Sequence, residues 1–106
     1  KWDSSAPSRM AVAEGSCEKG IVVCTTGIGI SIAANKVPGV RCALCTDPYL
    51  AKMTRLHNDA NMLALGGGFT GINLALEIVD TFLDTRFSEE GKHVRRVEKL
   101  ENDGRE

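Results

Sequence analysis

Three short apolar runs, each followed by a segment with helical signals, constrain the fold of this chain more than any other feature. The runs are GIVVC at 20–24, VRCALC at 40–45 and NMLALGG at 61–67. Each run is partly β-branched and ends in turn-prone residues, as is typical of buried strands. Strands that alternate with helices form parallel sheets with right-handed crossovers. The sequence therefore predicts a layered α/β domain.

The segments after these runs carry helix signals of their own. They are IGISIAANK at 28–36, DPYLAKMTRLH at 47–57 and TGINLALEIVDTFLDT at 70–85. The second begins with a good N-cap, Asp47, and has a proline at the first helical position, where a missing N–H costs nothing. The third carries apolar residues at helical spacing, and we expect them to face the sheet: Ile72, Leu76, Val79 and Leu83.

A last segment, SEEGKHVRRVEKLE at 88–101, has the pattern of an amphipathic helix. Its apolar residues are Val94, Val97 and Leu100, and its basic residues fall toward another side: Lys92, Arg95, Arg96 and Lys99. We expect a single domain over 1–106, in which 1–16 is an N-terminal segment and 88–106 is a C-terminal basic helix with a tail.

Composition and charge limit the kinds of partner. The 106 residues, 42% of them hydrophobic, suffice for one small core. A formal net charge of -1 with both signs interspersed gives no general attraction to nucleic acids or membranes. No apolar run approaches the roughly 18 residues that span a bilayer. Three parallel strands nevertheless make a thin sheet, so we expect that an element is lacking here or is supplied by a partner.

Ligands of open α/β sheets bind where the strands end, which directs attention to Cys24–Gly29 after the first run. Gly27 and Gly29 have no Cβ atom, so backbone N–H groups and the dipole of the following helix can form an anion cradle there. The alternative is that both glycines only form a tight turn. The loop is not a P-loop, since no Gly-Lys-Ser/Thr follows, and Ile32 stands where a dinucleotide fingerprint has its third glycine.

Four cysteines raise the question of which thiols react. Cys24 is either a small hydrophobic residue at the end of a buried strand, or a thiolate that the helix N-terminus favours and that acts as nucleophile or base. Cys42 and Cys45 lie three apart in a strand and so point to opposite faces, which favours packing over a redox or zinc pair. The N-terminal residues have no apolar signal-peptide core, so we expect free thiols, Cys17 included, in the cytoplasm.

Four motifs then point to a family. The chain contains Cys-x-Thr-Gly-Ile-Gly at 24–29, Ser-Ile-Ala-Ala-Asn-Lys at 31–36, His-Asn-Asp-Ala-Asn at 57–61 and His-x-Arg-Arg-Val-Glu-Lys at 93–99. With these motifs in this order and spacing, residues 20–101 closely resemble the ribose-5-phosphate isomerase B family, which also includes galactose-6-phosphate isomerase subunits. The resemblance implies a three-layer Rossmann-like parallel sheet with flanking helices.

The resemblance also implies an aldose–ketose isomerase of a phosphorylated sugar, most directly of ribose 5-phosphate to ribulose 5-phosphate, that uses no metal and no organic cofactor. Cys24 would be the base that moves a proton between C2 and C1 of the opened sugar. Thr26 and the N–H groups around Gly27 and Gly29 would hold the enediolate oxygen. Such stabilisation is needed because a C–H proton beside a carbonyl is too weakly acidic to leave unaided at neutral pH.

The other implied site residues lie later in the chain. His57 would assist ring opening as an acid or base, with Asn58 beside it. Lys92 and Arg96, four apart on one helical face, would hold the phosphate. The family's site spans a dimer interface, so the resemblance implies a homodimer or a higher homo-oligomer.

The chain departs from the family pattern at several places. Thr25 replaces the usual glycine, which would cost about 1–2 kcal/mol if that residue needed a positive φ. Gly68 replaces an arginine that helps to bind substrate, and Lys92 replaces another arginine, which exchanges a bidentate fork for a point charge. The family's N-terminal strand, helix and second strand, with an Asp-His motif, have no counterpart here.

These departures leave a second interpretation open. The chain could be a catalytically impaired relative that binds a phosphosugar or a partner subunit. A thiol redox protein, the third class, has no support from Cys42 and Cys45.

Overall fold

The computed structural model describes residues 6–103. Over this range the strands and helices alternate in the predicted order, with one further helix before the first strand. The elements are α1 (Ala6–Ala13), β1 (Gly20–Cys24), α2 (Ile28–Asn35), β2 (Cys42–Leu44), α3 (Pro48–Asn58), β3 (Met62–Gly66), α4 (Ile72–Asp84) and α5 (Gly91–Asp103).

The strands form one parallel sheet in the order β1-β3-β2. β3 is therefore the central strand, and all of its residues are buried. The first predicted strand is confirmed over 20–24, and the third is confirmed with one residue fewer at each end. The second shortens from 40–45 to Cys42–Leu44, because the Val40 N–H is used in a turn, where it donates to the Val37 carbonyl at 3.1 Å.

Helices cover both faces of the sheet, which confirms the predicted three-layer α/β fold. On one face α1 and α2 pack over a core made of Val12, Val22, Ala34, Val40, Met62 and Ala64. On the other face α3 and α4 enclose a second core, made of Cys45, Ala51, Ala60, Leu63, Leu65, Ile78 and Phe82. Side chains of β3 alternate between the two cores, as the pleat of a strand requires. α5 packs outside this arrangement, against α3.

Local sequence signals predict the start of α3 but do not predict α1. α3 starts as predicted, because the Asp47 side chain accepts a hydrogen bond from the Leu50 N–H at 2.9 Å and Pro48 occupies the first turn. α1 was not predicted, since its sequence APSRMAVA has no continuous apolar stripe. It is held instead by tertiary packing, in which Val12 joins the same core as Val22.

The prediction for the buried face of α4 was right for Val79 and wrong for its other three residues. Ile78 and Phe82 face the sheet and are fully buried, and Val79 packs at the edge of the same core. Three of the residues predicted to face the sheet are at least 45% exposed: Ile72, Leu76 and Leu83. Lys19, just before β1, donates from Nζ to the Leu83 carbonyl at 3.0 Å, so the last turn of α4 lies near this edge strand. The sheet of residues 6–103 leaves the stripe uncovered.

Truncations on the two stripes of α4 test this orientation. Ile78→Ala empties a fully buried site and should lower the free energy of unfolding by about 2–5 kcal/mol. Leu76→Ala, on the exposed stripe of the same helix, should change it by about 0.5 kcal/mol or less. Urea denaturation followed by circular dichroism measures both values. Equal costs for the two variants would contradict the orientation of the helix.

Candidate active site

Cys24 closes strand β1 and lies at the N-terminus of α2. The Gly27 N–H donates to the Cys24 Sγ atom at 3.1 Å, and the Ile28 N–H donates to Thr26 Oγ1 at 3.2 Å. Two N–H groups that the start of a helix leaves without backbone acceptors are thus directed at a thiol and a hydroxyl. This one loop brings together four of the predicted site residues: Cys24, Thr26, Gly27 and Gly29.

The two glycines of this loop have different roles. Gly27 has a left-handed φ of 80°, and a Cβ atom on it would lie 2.5 Å from Leu44 Cδ1 and 3.0 Å from the carbonyl carbon of Leu65. A side chain at Gly27 is therefore opposed both by backbone strain and by the neighbouring strands. Nothing lies within 4 Å of the place where a Cβ of Gly29 would be. Gly27 is therefore explained by the tight turn that it forms, whereas the lack of a side chain at Gly29 leaves open space beside the helix N-terminus.

The N-terminus of α2 makes the Cys24 thiol more acidic. The Ile30 N–H has the largest effect and lowers the pKa of Cys24 from its ordinary value of 9.0, while partial desolvation acts in the opposite direction. The N–H groups of Gly27 and Thr26 and the Thr26 hydroxyl lower the pKa further. A larger share of the thiol is therefore ionised near neutral pH, and the thiolate is the form that acts as a base.

Cys42 and Cys45 lie on opposite faces of the sheet. Cys45 belongs to the core under α3 and α4, and Cys42 packs against the core on the other face. Burial raises the pKa of Cys42 to about 12 and that of Cys45 to about 11. Both thiols stay protonated near neutral pH, so their environment suits packing and differs from that of Cys24.

Alkylation by iodoacetamide separates these thiols. In a Cys17→Ser background, used because Cys17 is exposed, Cys24 should react first, with a rate that rises with pH through a midpoint below 9.0. Cys42 and Cys45 should stay unmodified in the folded chain. Peptide mapping by mass spectrometry between about pH 6 and pH 10 gives the rate at each position. A midpoint for Cys24 no lower than that of the unfolded chain would contradict the effect of the helix.

Thr25 does not strain the loop. Among the non-glycine residues of 6–103, only Asp59 and Glu89 have a positive φ, so the cost expected for a positive φ at Thr25 does not arise. The Thr25 carbonyl accepts a hydrogen bond from the Gly68 N–H at 2.9 Å. A Cβ atom on Gly68 would lie 2.7 Å from Thr25 Cγ2 and 2.9 Å from that carbonyl oxygen. Thr25 therefore occupies the space that a side chain at position 68 would need.

A double-mutant cycle tests the contact between Thr25 and Gly68. Gly68→Ala should lower the free energy of unfolding by about 1–3 kcal/mol, the usual cost of overpacking. In a Thr25→Gly background the same change should cost less, because the conflicting methyl group is gone, with a coupling of at least about 0.5 kcal/mol. Gly71→Ala is the matched control, since nothing lies within 4 Å of its Cβ position. Additive costs for Thr25→Gly and Gly68→Ala would argue against the contact.

His57 and Asn58 form the last turn of α3, and Asp59 ends the helix with a left-handed φ of 47°. Arg55, which is buried, donates to the Asp59 carboxylate at 2.8 Å. Arg41 donates to the Asp59 backbone carbonyl at 2.9 Å from the other side. Two arginines thus hold the turn and thereby fix where His57 and Asn58 lie. The sequence analysis missed both arginines, although the spacing of Arg55 and Asp59 is that of a helical ion pair.

His93, in the first turn of α5, lies against His57. The two ring centroids are 4.4 Å apart, and the ring planes are inclined by 32°. His93 is only 6% exposed, and its Nδ1 atom lies 2.6 Å from the Ser88 Oγ atom. The sequence analysis included His93 in a motif but gave no role to it or to Ser88. A signal was available, because His93, Val97 and Leu100 share the helical spacing of a buried face.

The basic residues Lys92 and Arg96 lie one turn apart on α5, and both side chains are exposed. The Lys92 ammonium is 3.8 Å from the Glu90 carboxylate in a pair that is open to solvent, so the attraction between them is weak. His93 lies in the same turns of this helix, on the side that is buried. The pair predicted to bind phosphate therefore stands near the two histidines and not beside the Cys24 loop.

The predicted site residues thus form two groups, one at the carboxyl ends of the strands and one at their amino ends. Cys24 lies where β1 ends, in register with Gly66 at the end of β3. His57 and Asn58 precede the start of β3 at Met62. At about 3.3 Å per residue, the length of that strand alone separates the two groups by about 13 Å. One chain does not bring its own His57 to its own Cys24.

Two cavities of the described chain agree with this division. One of about 410 Å³ is lined in part by Asn58 and Leu100, and a wider one of about 870 Å³ is lined in part by Arg55 and Asp59. Cys24 lines neither of these two cavities. No group of three or more His, Cys, Asp and Glu side chains within residues 6–103 is arranged to hold a metal ion.

Within the same residues, no helix has both the length and the apolar character needed to cross a membrane.

The structure is that of an α/β protein with a thiol of lowered pKa in one group and a pair of histidines in ring contact in the other. Comparison with known proteins then gives the family. A sequence model described as Ribose/Galactose Isomerase matches residues 3–100, which is most of the chain. The chain belongs to the ribose/galactose isomerase family.

Two curated relatives and one solved structure illustrate the match. The chain is 48% identical over 91 residues to ribose-5-phosphate isomerase B of Escherichia coli, covering 86% of this chain and 60% of that protein. It is 40% identical over 96 residues to galactose-6-phosphate isomerase subunit LacB of Clostridium acetobutylicum, covering 87% and 56%. Type B ribose 5-phosphate isomerase from Trypanosoma cruzi superimposes with a TM-score of 0.89 at 52% identity, over 92% of this chain and 65% of that one.

These relatives are isomerases of sugar phosphates by name. The chain spans 60% of the Escherichia coli relative and 65% of the Trypanosoma cruzi chain. This partial coverage fits a sequence that has no counterpart of the family's N-terminal strand, helix and second strand.

Proposed function

We propose that this chain acts as an aldose–ketose isomerase that converts ribose 5-phosphate to ribulose 5-phosphate in the pentose phosphate pathway. The observation that carries the proposal is the Cys24 thiol at the N-terminus of α2, where N–H groups lower its pKa. A thiolate beside N–H donors is suited both to remove a proton next to a carbonyl and to stabilise the oxyanion that forms. The name of the Escherichia coli relative supports this substrate.

In this reaction Cys24 takes the proton from C2 of the opened aldose. The electrons of the broken C–H bond form the double bond between C1 and C2, and the former carbonyl oxygen becomes an enediolate oxygen. The Thr26 hydroxyl and the N–H groups near Gly27 and Gly29 stabilise that charge. The hydroxyl proton of O2 passes to O1, so that the negative charge moves to O2. The electrons on O2 then form the new C2 carbonyl while Cys24 returns its proton to C1. No electrons leave the sugar, so the proposed step needs no redox partner.

We propose that each site is shared between two copies of the chain. In a two-fold symmetric pair, the carboxyl ends of the strands in one copy can face the amino ends of the strands in the other copy. The symmetry produces this contact twice. The Cys24 loop of one copy would then meet His57 and Asn58 of the second, with His57 assisting ring opening. Lys92 and Arg96 of that second copy would hold the phosphate.

Two exposed apolar side chains support a contact at this place. Ile28 and Ile32 lie one turn apart on α2, directly after the Cys24 loop, and are 53% and 57% exposed. Adjacent exposed apolar side chains of this kind are typical of surfaces that another protein covers. A homodimer or a higher homo-oligomer would bury them and complete the site in the same step.

The division of the site residues into two groups supports a second candidate function, because one copy of the chain does not bring Cys24 and His57 together. A subunit that binds a phosphosugar or a partner without turnover would use the same residues. Calorimetric binding of ribose 5-phosphate without formation of ribulose 5-phosphate would favour this candidate.

The cytoplasm is the location we propose for either function. All four cysteines are free, and free thiols persist in reducing compartments.

Complementation between two inactive variants tests the shared site. Cys24→Ala and His57→Ala should each abolish the conversion of ribose 5-phosphate. When the two are refolded together, a mixed pair contains one intact site and one site that lacks both groups. Random pairing makes half of the pairs mixed, so about one quarter of the wild-type rate should return.

The control is a mixture of Cys24→Ala with Cys24→Ser, which should stay inactive in every pairing. No recovery in the first mixture would place both groups in one copy and so contradict the shared site. Unchanged turnover of Cys24→Ala alone would remove Cys24 as the base.

A further inference from the structure

We propose that His93 is a positioning residue that ties the imidazole of His57 to the phosphate-binding side chains Lys92 and Arg96. The proposal rests on the proposed function, which gives those three residues their contacts with the sugar phosphate. His93 would not touch the substrate. It would set where the acid or base and the two cations stand relative to one another.

The first support is the way α5 is attached to the rest of the chain. Val94 and Val97 are half-buried, and Leu100 is 49% exposed, so the apolar side of the helix is poorly covered. His93, at 6% exposed, is the most deeply buried of the side chains described on α5. Its ring contact with His57 therefore anchors the first turn of α5 on the last turn of α3.

Ser88 holds the His93 ring from another direction. The Ser88 N–H donates to the carbonyl of Leu56, the residue before His57, at 3.3 Å, and its Oγ atom lies 2.6 Å from His93 Nδ1. The Glu90 N–H donates to the same Oγ atom at 3.4 Å and so uses one of its two acceptor positions. Ser88 is thus the hydrogen-bond partner of Nδ1 and is itself held by the start of α5.

The charges around His93 favour the neutral ring while no anion is bound. Burial has the largest effect and lowers the pKa of His93 below its ordinary value of 6.5. Three neighbouring groups lower this pKa further: His57 on α3, and Lys92 and Arg96 on α5. Glu90, in the loop before α5, raises it.

A bound dianion would change this balance. Held by Lys92 and Arg96, it would offset the two cations that oppose protonation of His93. Binding of the anion and protonation of His93 then support each other, and the coupling is reciprocal.

The direction of this coupling follows from the lowered pKa. Well above pH 6.5 the ring is neutral in the folded and in the unfolded chain, so His93 adds no pH dependence there. As the pH falls below 6.5, the empty folded chain resists protonation more than the unfolded chain does, and docking of α5 weakens. An anion that raises the pKa of His93 relieves this loss, so its affinity should increase as the pH falls through the same range.

Sulfate is the probe for this coupling, because it remains a dianion where phosphate would itself titrate. We expect sulfate to raise the pH at which His93 titrates, as followed by NMR of ¹⁵N-labelled imidazoles in the full chain. We expect its affinity to increase several-fold between about pH 7.5 and pH 5.5, up to about tenfold for each unit by which it raises the pKa of His93.

Three variants separate the contributions. His93→Phe keeps a flat ring against His57 and should bind sulfate normally at the higher pH but lose most of the increase. His57→Gln removes the other histidine, so the increase that remains belongs to His93, and the pKa of His93 should move toward 6.5. Ser88→Ala removes the Nδ1 partner and should change the tautomer and the titration of His93, which keeps the proposal testable if His93→Phe does not fold.

Two outcomes would overturn the role of His93: a titration of His93 that sulfate leaves unchanged, or a full increase in affinity that persists in His93→Phe. Either would leave the phosphate site itself intact. A different result would count against the proposed function, namely sulfate binding that is unaffected by Lys92→Gln combined with Arg96→Gln.

Discussion

The parallel pairing of β3 with β1 on one side and β2 on the other places Cys24 and His57 at opposite ends of the strands. β3 ends beside Cys24 and begins just after the turn at Asp59. In a parallel sheet, each helix runs back from the carboxyl ends of the strands to their amino ends. The last residue of a strand and the last residue of a helix therefore lie at opposite ends of the strands. The thiol and His57 are kept apart by this topology, and a site that uses both needs a second copy of the chain.

Each group is organised locally before any partner arrives. The first turn of α2 directs N–H groups at the Cys24 thiol, and this requires the left-handed backbone of Gly27 at a place where a side chain would meet β2. At the other edge, Arg55 and Arg41 hold the left-handed turn at Asp59. Preorganised donors and fixed side chains of this kind reduce the reorganisation that a reaction would otherwise require.

The α/β fold was predictable from the sequence because the pattern of apolar runs and helix signals is local. The bounds of β1 and the Asp47 cap of α3 follow from neighbouring residues. The buried face of α4 was not predictable in the same way, since its apolar arc is wide and the part that is covered depends on the width of the sheet. Helix α1 likewise depends on tertiary packing and not on a signal of its own.

The candidate site was predictable in part. The Cys24 loop could be located from its glycines, whereas the contact of Thr25 with Gly68 depends on how β1 and β3 pair and is not visible in either segment alone. The pairing of His93 with His57 depends on how α5 crosses α3. The separation of His57 from Cys24 was not predicted, although it follows from the predicted topology, in which a strand and the helix after it run in opposite directions. The catalytic and binding roles of all of them stay predictions.

A crystal structure of the Cys24→Ala chain with ribose 5-phosphate bound tests the shared site most directly. We expect the phosphate on Lys92 and Arg96 of one copy, with C1 and C2 of the sugar beside position 24 of the other copy. A sugar phosphate whose phosphate and reacting carbons contact a single copy, or one bound away from position 24, would contradict the shared site.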